Sequence, residues 1–282
     1  MNNNRVRALL AVAIAGMVLM AVSCGGSSAP QPGTPQFSWS AARETWAAGD
    51  YPKTAEHLEG VLRSQNQYTA QARPWHLIVT SGMAKAYIDL ADYSEHGGRA
   101  KPFHATAFRR QMSDFRTYAN QLALQFAESF SAFQVAHKDP QVTLAFSFPM
   151  GSPFMSPQLL RMGQGTLPDP AVLDDVRRQH LQTAVVLATC RAAGAPDDTA
   201  RTQQLFKAGN VQVPREAFLL AMAETLDEQA QLYTRKKLDL PDRFTLFSNR
   251  ALETLATLPQ TKQTTALTAK IQKALKAAAP AR

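Results

Sequence analysis

Residues 103–137 place the firmest constraint on the fold. Phe108, Met112, Phe115, Ala119, Leu122, Phe126, Phe130 and Phe133 recur there in steps of three or four, the spacing that puts side chains on one face of an α-helix. A continuous helix of about 30 residues is about 45–50 Å long at 1.5 Å per residue. An aromatic stripe of that length is too bulky to leave in water. The helix is therefore expected to be a spine against which other helices pack.

Helical spacing continues through most of the chain, punctuated by turn residues. Gly49-Asp50-Tyr51-Pro52 separates a helix expected over residues 39–48 from one over 53–65. Gly194-Ala195-Pro196-Asp197-Asp198 closes one helix with a glycine and opens the next with capping acids. Asp239-Leu240-Pro241-Asp242 joins helices expected over 217–236 and 243–258. Connections this short make neighbouring helices antiparallel hairpins. In the last segment Leu267, Ile271, Leu275 and Ala278 stripe one face of a helix that also carries Lys262, Lys270, Lys273 and Lys276, with no acid after Pro259. The expected fold is all-α: antiparallel hairpins packed around a long central helix, with one long irregular loop. Residues 38–282 form a single helical domain on this reading, with hairpins and spine in 38–137, the loop in 139–170 and further helices in 171–282.

The loop, residues 139–170, holds six prolines and three glycines, which leaves no room for a helix of useful length. Inside it Val142, Leu144, Phe146 and Phe148 alternate with Thr143, Ala145 and Ser147, an extended pattern with one apolar face. A lone strand cannot satisfy its own backbone. It is expected to cross a helical groove, pair within the loop, or pair with another chain. Covering the core is its main expected role, and Phe146 and Phe148 are its candidate contact residues.

Candidate chemistry is sparse. The six histidines, His57, His76, His96, His104, His137 and His180, show no paired metal-ligand spacing. No metal or cofactor is expected. His180 and Cys190 share a helical stripe, but ten residues separate them by about 15 Å, too far for a nucleophile–base pair. Asp174-Asp175, Asp197-Asp198 and Asp227-Glu228 are sequence neighbours, and neighbours on a helix point to different sides. Glu224 and Glu228 share a face, which is expected to be solvated. Neither a nucleophile elbow nor a phosphate-cradling glycine loop occurs. No catalytic residue is assigned, and the chain is read as a non-enzyme.

The N-terminal segment carries an address. Arg5 and Arg7 precede an apolar run over residues 8–22, too short for a membrane span and of the length of a signal-peptide core. It closes on Ala21-Val22-Ser23-Cys24, which resembles the bacterial lipobox. That resemblance implies a signal peptide over residues 1–23 and a lipid on Cys24. Residues 24–37, rich in Gly, Ser and Pro, read as a disordered tether. In lipoproteins of this kind an Asp after the cysteine retains the protein in the inner membrane. Gly25 stands there, so the resemblance implies the outer membrane, facing the periplasm. Cys24 and Cys190 are the only cysteines, so with Cys24 acylated no intrachain disulfide forms. The net charge of +8 would suggest nucleic acid elsewhere, but in the cell envelope no nucleic-acid partner is expected, and the excess serves solubility or anionic surfaces.

Ala42, Gly49, Tyr51, Leu58 and Leu62, and then Gly82-Met83-Ala84-Lys85-Ala86-Tyr87 followed by Leu90-Ala91-Asp92-Tyr93, resemble degenerate tetratricopeptide repeats. The second unit is expected to break at His96-Gly97-Gly98. Such repeats bind peptides or proteins in a concave groove, and Trp39, Trp46, Trp75, Tyr87 and Tyr93 are the candidates to line it. The expected function is a membrane-anchored scaffold for an envelope protein or peptide. The other reading is a small-molecule-binding or accessory subunit of an envelope transporter, with residues 139–170 as a lid.

Overall fold

The computed structural model describes residues 30–196 and 198–278. Cys24 and residues 1–23 lie outside that range. Helices α1 (Pro35–Ala47) and α2 (Tyr51–Leu62) form the first hairpin, each opened by a capping side chain. The Thr34 hydroxyl accepts from the Phe37 amide and the Asp50 carboxylate from the Lys53 amide. Residues 35–37, expected to end the tether, form the first turn of α1. The proline at 35 suits a position whose amide lacks a helical partner.

Two helices of 32 residues follow, α3 (Thr69–Ala100) and α4 (Ala105–Ala136), linked by a 3₁₀ turn at Pro102–His104. They pack along each other as an antiparallel pair. The expected spine is α4, and its stripe is buried: Phe108, Phe126, Phe130 and Phe133 are each almost entirely out of solvent. Each such side chain contributes about 1.5–3 kcal/mol of burial.

The hub of the molecule, however, is α3. It touches α2, α4 and β1 (Gln141–Leu144), and also α5 (Pro157–Gly163), α6 (Pro170–Ala192) and α8 (Arg215–Ala230). A helix can be covered on every side only if its neighbours come close, and α3 supplies small residues at Ala72, Ser81, Gly82, Ala84, Ala86, Ala91, Ser94 and Gly97, all buried. The break expected at His96-Gly97-Gly98 does not occur, and α3 runs unbroken to Ala100. Gly97 serves packing instead: a Cβ there would lie 2.3 Å from the Met162 carbonyl oxygen of α5. Leu90-Ala91-Asp92-Tyr93, part of the expected second unit, is likewise helical, so residues 82–100 do not form a two-helix repeat unit.

After α6, Gly194 adopts φ +77° in the expected turn, and Asp198 caps α7 (Thr199–Lys207) by accepting from the Arg201 amide. A short strand, β2 (Val211–Pro214), then pairs antiparallel with β1, Val142 opposite Val213 and Leu144 opposite Val211. The strand's partner thus lies in residues 211–214, outside the loop, which corrects the expectation of pairing within the loop. Val142, Leu144, Val211 and Val213 are buried, while Thr143 and Gln212 hydrogen-bond to each other on the outer face. The strand is also shorter than its pattern, ending at Leu144, and the one helix contained within residues 139–170, α5, is only seven residues long.

The helix expected over 217–236 is α8, which tightens into a 3₁₀ turn at Gln231–Tyr233. It packs on α9 (Pro241–Ala256), and α10 (Lys262–Ala278) covers both with Ile271 buried. Among the described residues nearly all the buried apolar side chains form one connected core; Val186, Cys190 and Ala195 lie outside it. No described helix is long and apolar enough to cross a membrane.

Candidate binding surface

Residues 145–156 leave β1 as a strap that crosses α1, α2, α6 and α3. Phe146 sits beneath it, stacked on Trp75 (ring centroids 4.9 Å apart, planes at 12°) and packed against Trp39 and Trp46. The strap backbone is then gripped by side chains. The Trp46 indole N–H donates to the Ser147 carbonyl at 2.9 Å, and the Tyr51 hydroxyl to the Met150 carbonyl at 2.5 Å. Thr183 of α6 donates to the Ser152 carbonyl at 2.7 Å, and the Tyr93 hydroxyl reaches the Met155 sulfur at 2.9 Å. Burial drives the Tyr51 phenol well above its ordinary pKa, only partly offset by its bond to Met150, so it remains a neutral donor.

These contacts correct the groove expected from sequence. Trp39, Trp46, Trp75 and Tyr87 are buried and Tyr93 is half-buried, so the five do not line one shared groove; Trp46 and Tyr87 border separate cavities. Trp46 and Tyr93 instead seat the strap. Phe146 is likewise buried and Phe148 half-buried against Phe206, so neither loop candidate is presented outward. What the strap does present is further along: Phe154 is 81% exposed, and Met150, Met155 and, midway along α5, Leu160 are exposed as well. Sequence reasoning missed this crest. Its signal was two methionines and a phenylalanine among glycines and prolines, in a stretch too irregular to fill a core.

Thr183 also borders a small polar cleft between α3, α6 and α8, of about 90 Å³. There the Asp89 carboxylate accepts from Lys85 at 2.6 Å and lies 3.3 Å from His180 Nε2. Burial pushes the Asp89 pKa up, but the bonds from His180 and Lys85 outweigh it and hold the carboxyl below its usual range. Arg191 makes a bidentate pair with Glu228, both contacts 2.8 Å, and lies 4.0 Å from Glu224. Glu224 and Glu228 are thus not simply a solvated face but flank an arginine. Every hydroxyl lining the cleft spends its proton on a backbone carbonyl: Ser81 on Ile78, Thr183 on Ser152, Thr225 on Ala221. None is set beside His180 as a nucleophile, so the Asp89–His180 pair has no reacting hydroxyl next to it.

A second histidine sits in a serine–histidine–carboxylate row. Ser129 Oγ of α4 is 2.8 Å from His76 Nδ1 of α3, and His76 Nε2 is 3.6 Å from Glu59 of α2. Acyl transfer also needs amide donors aimed at a developing oxyanion. Ser129 lies inside α4, where the neighbouring amides are committed to helical carbonyls. The Ser129–His76 bond therefore joins α4 to α3, while His76 Nε2 makes no hydrogen bond to Glu59.

Cys190 is a free, buried thiol, and burial raises its pKa, which makes it inert at neutral pH. His96 is exposed and His104 half-buried. Among the described residues no three His, Cys, Asp or Glu side chains group as metal ligands. No protein-family model, curated protein or solved structure matches this chain significantly.

Proposed function

We propose that this chain is a non-enzymatic, lipid-tethered scaffold that binds another protein or an extended peptide at the periplasmic face of the outer membrane. The observation that carries the binding half is the crest of Met150, Phe154, Met155 and Leu160, held outward on a strap anchored by four side chains. Large apolar side chains left in solvent on a loop held by its backbone mark an interaction surface. The lipobox-like Ala21-Val22-Ser23-Cys24 and the following Gly/Ser/Pro stretch support the tethered half. Two or more acyl chains on one cysteine hold a protein at a bilayer stably, where one does not.

A photo-crosslinking residue placed at position 154 in cells of the native host tests the binding half. One reproducible protein adduct at 154, absent when the probe stands at Leu246 on α9, supports it; equal or absent adducts at both positions overturn it. Replacing Cys24 by Ser tests the tether. Loss of membrane fractionation and a shift in electrophoretic mobility are expected, and unchanged fractionation and mobility would end that part of the reading.

A further inference from the structure

At the end of the molecule where α3 turns into α4, a groove of about 350 Å³ lies between the two helices. Phe108, Met112 and Gly98 give it an apolar lining, and three arginines border it: Arg99, Arg109 and Arg116. The only acid on the groove is Glu95. It is shared by two of the arginines, pairing with Arg99 one turn on along α3 and with Arg116 of α4 at 2.8 Å. Arg109 reaches no carboxylate among the described residues, and its Nε donates only to the Ala105 carbonyl of its own helix. Three guanidinium groups against one carboxylate leave a local excess of two positive charges. The nearby Lys237 does not change this, because it is neutralised by Asp92 at 2.7 Å.

Arg116 is what separates this groove from a merely basic surface. It is 7% exposed, held by Glu95 and by the Lys237 carbonyl, and its Nε is a buried donor with no hydrogen-bond partner. Burying a guanidinium with a donor unmet is costly, and an anion in the groove would offset that cost through its charge, since the Arg116 Nε itself is closed off from the groove. Arginine rather than lysine at 99 and 109, the two accessible positions, favours a planar or tetrahedral oxyanion gripped by paired N–H donors. The cleft around Asp89 offers nothing comparable, since its cations and carboxylates pair off with one another.

We infer that this groove is a binding site for a phosphate monoester bearing an apolar group, the dianion held by Arg99 and Arg109 beside the buried charge of Arg116 and the apolar group lying against Met112. The charge of a phosphomonoester matches the excess of two, and the apolar floor selects against bare phosphate. A phosphatidate headgroup and a soluble aryl or alkyl phosphate share this chemistry. The inference is independent of the crest at Phe154 and goes beyond the scaffold reading.

Calorimetric titration of the full chain with phenyl phosphate, dihexanoylphosphatidic acid, inorganic phosphate and phenol tests it. Phenyl phosphate or the phosphatidate is expected to bind more tightly than either inorganic phosphate or phenol. Arg109→Ala, at an exposed position that folding does not need, weakens that binding by about tenfold or more. Arg110→Ala, its exposed neighbour outside the groove, leaves it unchanged. Tighter binding of the phosphatidate assigns a lipid source and tighter binding of phenyl phosphate a soluble one, and either supports the site. Binding no tighter than phenol or inorganic phosphate, or equal effects of the two arginine variants, overturns it.

Discussion

Phe146 lies stacked on Trp75, their ring centroids 4.9 Å apart and their planes 12° from parallel. This contact joins the strap to α3, and the aromatic rings of Trp39 and Trp46 close around it. Phe146→Ala therefore both empties a core site and releases the strap. A loss of about 3–5 kcal/mol is expected, as for other large aromatic truncations. Urea unfolding measures the loss, and limited proteolysis reads the strap, which should be cut within residues 148–156 well below the unfolding midpoint. A variant that keeps the strap protected would mean that Trp46, Tyr51 and Thr183 suffice to hold it.

Two opposing effects meet at Gly82. Alanine raises helix propensity by about 1 kcal/mol over glycine inside a helix. Yet a Cβ at Gly82 would sit 2.8 Å from Val185 Cα and 2.9 Å from Val185 Cγ2, where α6 crosses α3. Backbone cannot swing away as a side chain can, so the clash outweighs the propensity gain. Gly82→Ala is expected to destabilise by about 1–3 kcal/mol net. A midpoint equal to or above that of the wild-type chain in urea would show that α6 can slide.

The same contrast between bulky stripes and small contact residues explains what could be read from the chain. The α4 stripe, the turn residues at Gly49-Asp50 and Gly194, and the face of α10 centred on Ile271 announce themselves because large apolar side chains recur at a helical period. The role of α3 does not, because alanine, serine and glycine let helices approach without leaving a periodic hydrophobic signal. β2 was missed because Val211-Gln212-Val213 is too brief an alternation to stand against the helical pattern on both sides. The five groove candidates failed for another reason. Trp39, Trp46 and Trp75 have the same composition whether an indole faces solvent or Phe146, and only the three-dimensional position of the strap decides.

Asp89 ties α3 to α6 through His180 and is joined on its own helix by Lys85. Its folded-state pKa lies below its ordinary value: burial opposes ionisation, and the two hydrogen-bond donors more than compensate. A depressed carboxyl pKa stabilises fully above the unfolded value of about 3.9, and that contribution disappears as pH falls through the folded value. Asp89→Asn should thus cost about 2 kcal/mol near neutral pH, the scale of a hydrogen bond to a charged group. Urea midpoints measured from about pH 6 down to about pH 2.5 should show that gap narrowing only below about pH 4. A gap constant across the range would assign the loss to packing rather than to charge.

Tyr233 presents the reverse case at the alkaline end. Its ring is fully buried against Phe247, with the Arg243 guanidinium 5.9 Å from the ring centre, and its hydroxyl has no hydrogen-bond partner. Burial pushes the phenol up to about 12, with Arg243 acting weakly in the opposite direction. A raised pKa leaves stability intact below the unfolded value of about 10 and removes it as pH climbs toward the folded value, about 2–3 kcal/mol in all. Tyr233→Phe removes a hydroxyl that surrenders water on folding and gains nothing in exchange. The variant should match or exceed the wild-type chain by about 1 kcal/mol near pH 7 and lose less between about pH 10 and about pH 12. Some alkaline loss should persist, because burial also raises the pKa of Tyr51. Chemical denaturation at about pH 7 and about pH 11 decides the matter. A destabilised variant whose alkaline decline parallels that of the wild-type chain would mean the hydroxyl is bonded in solution.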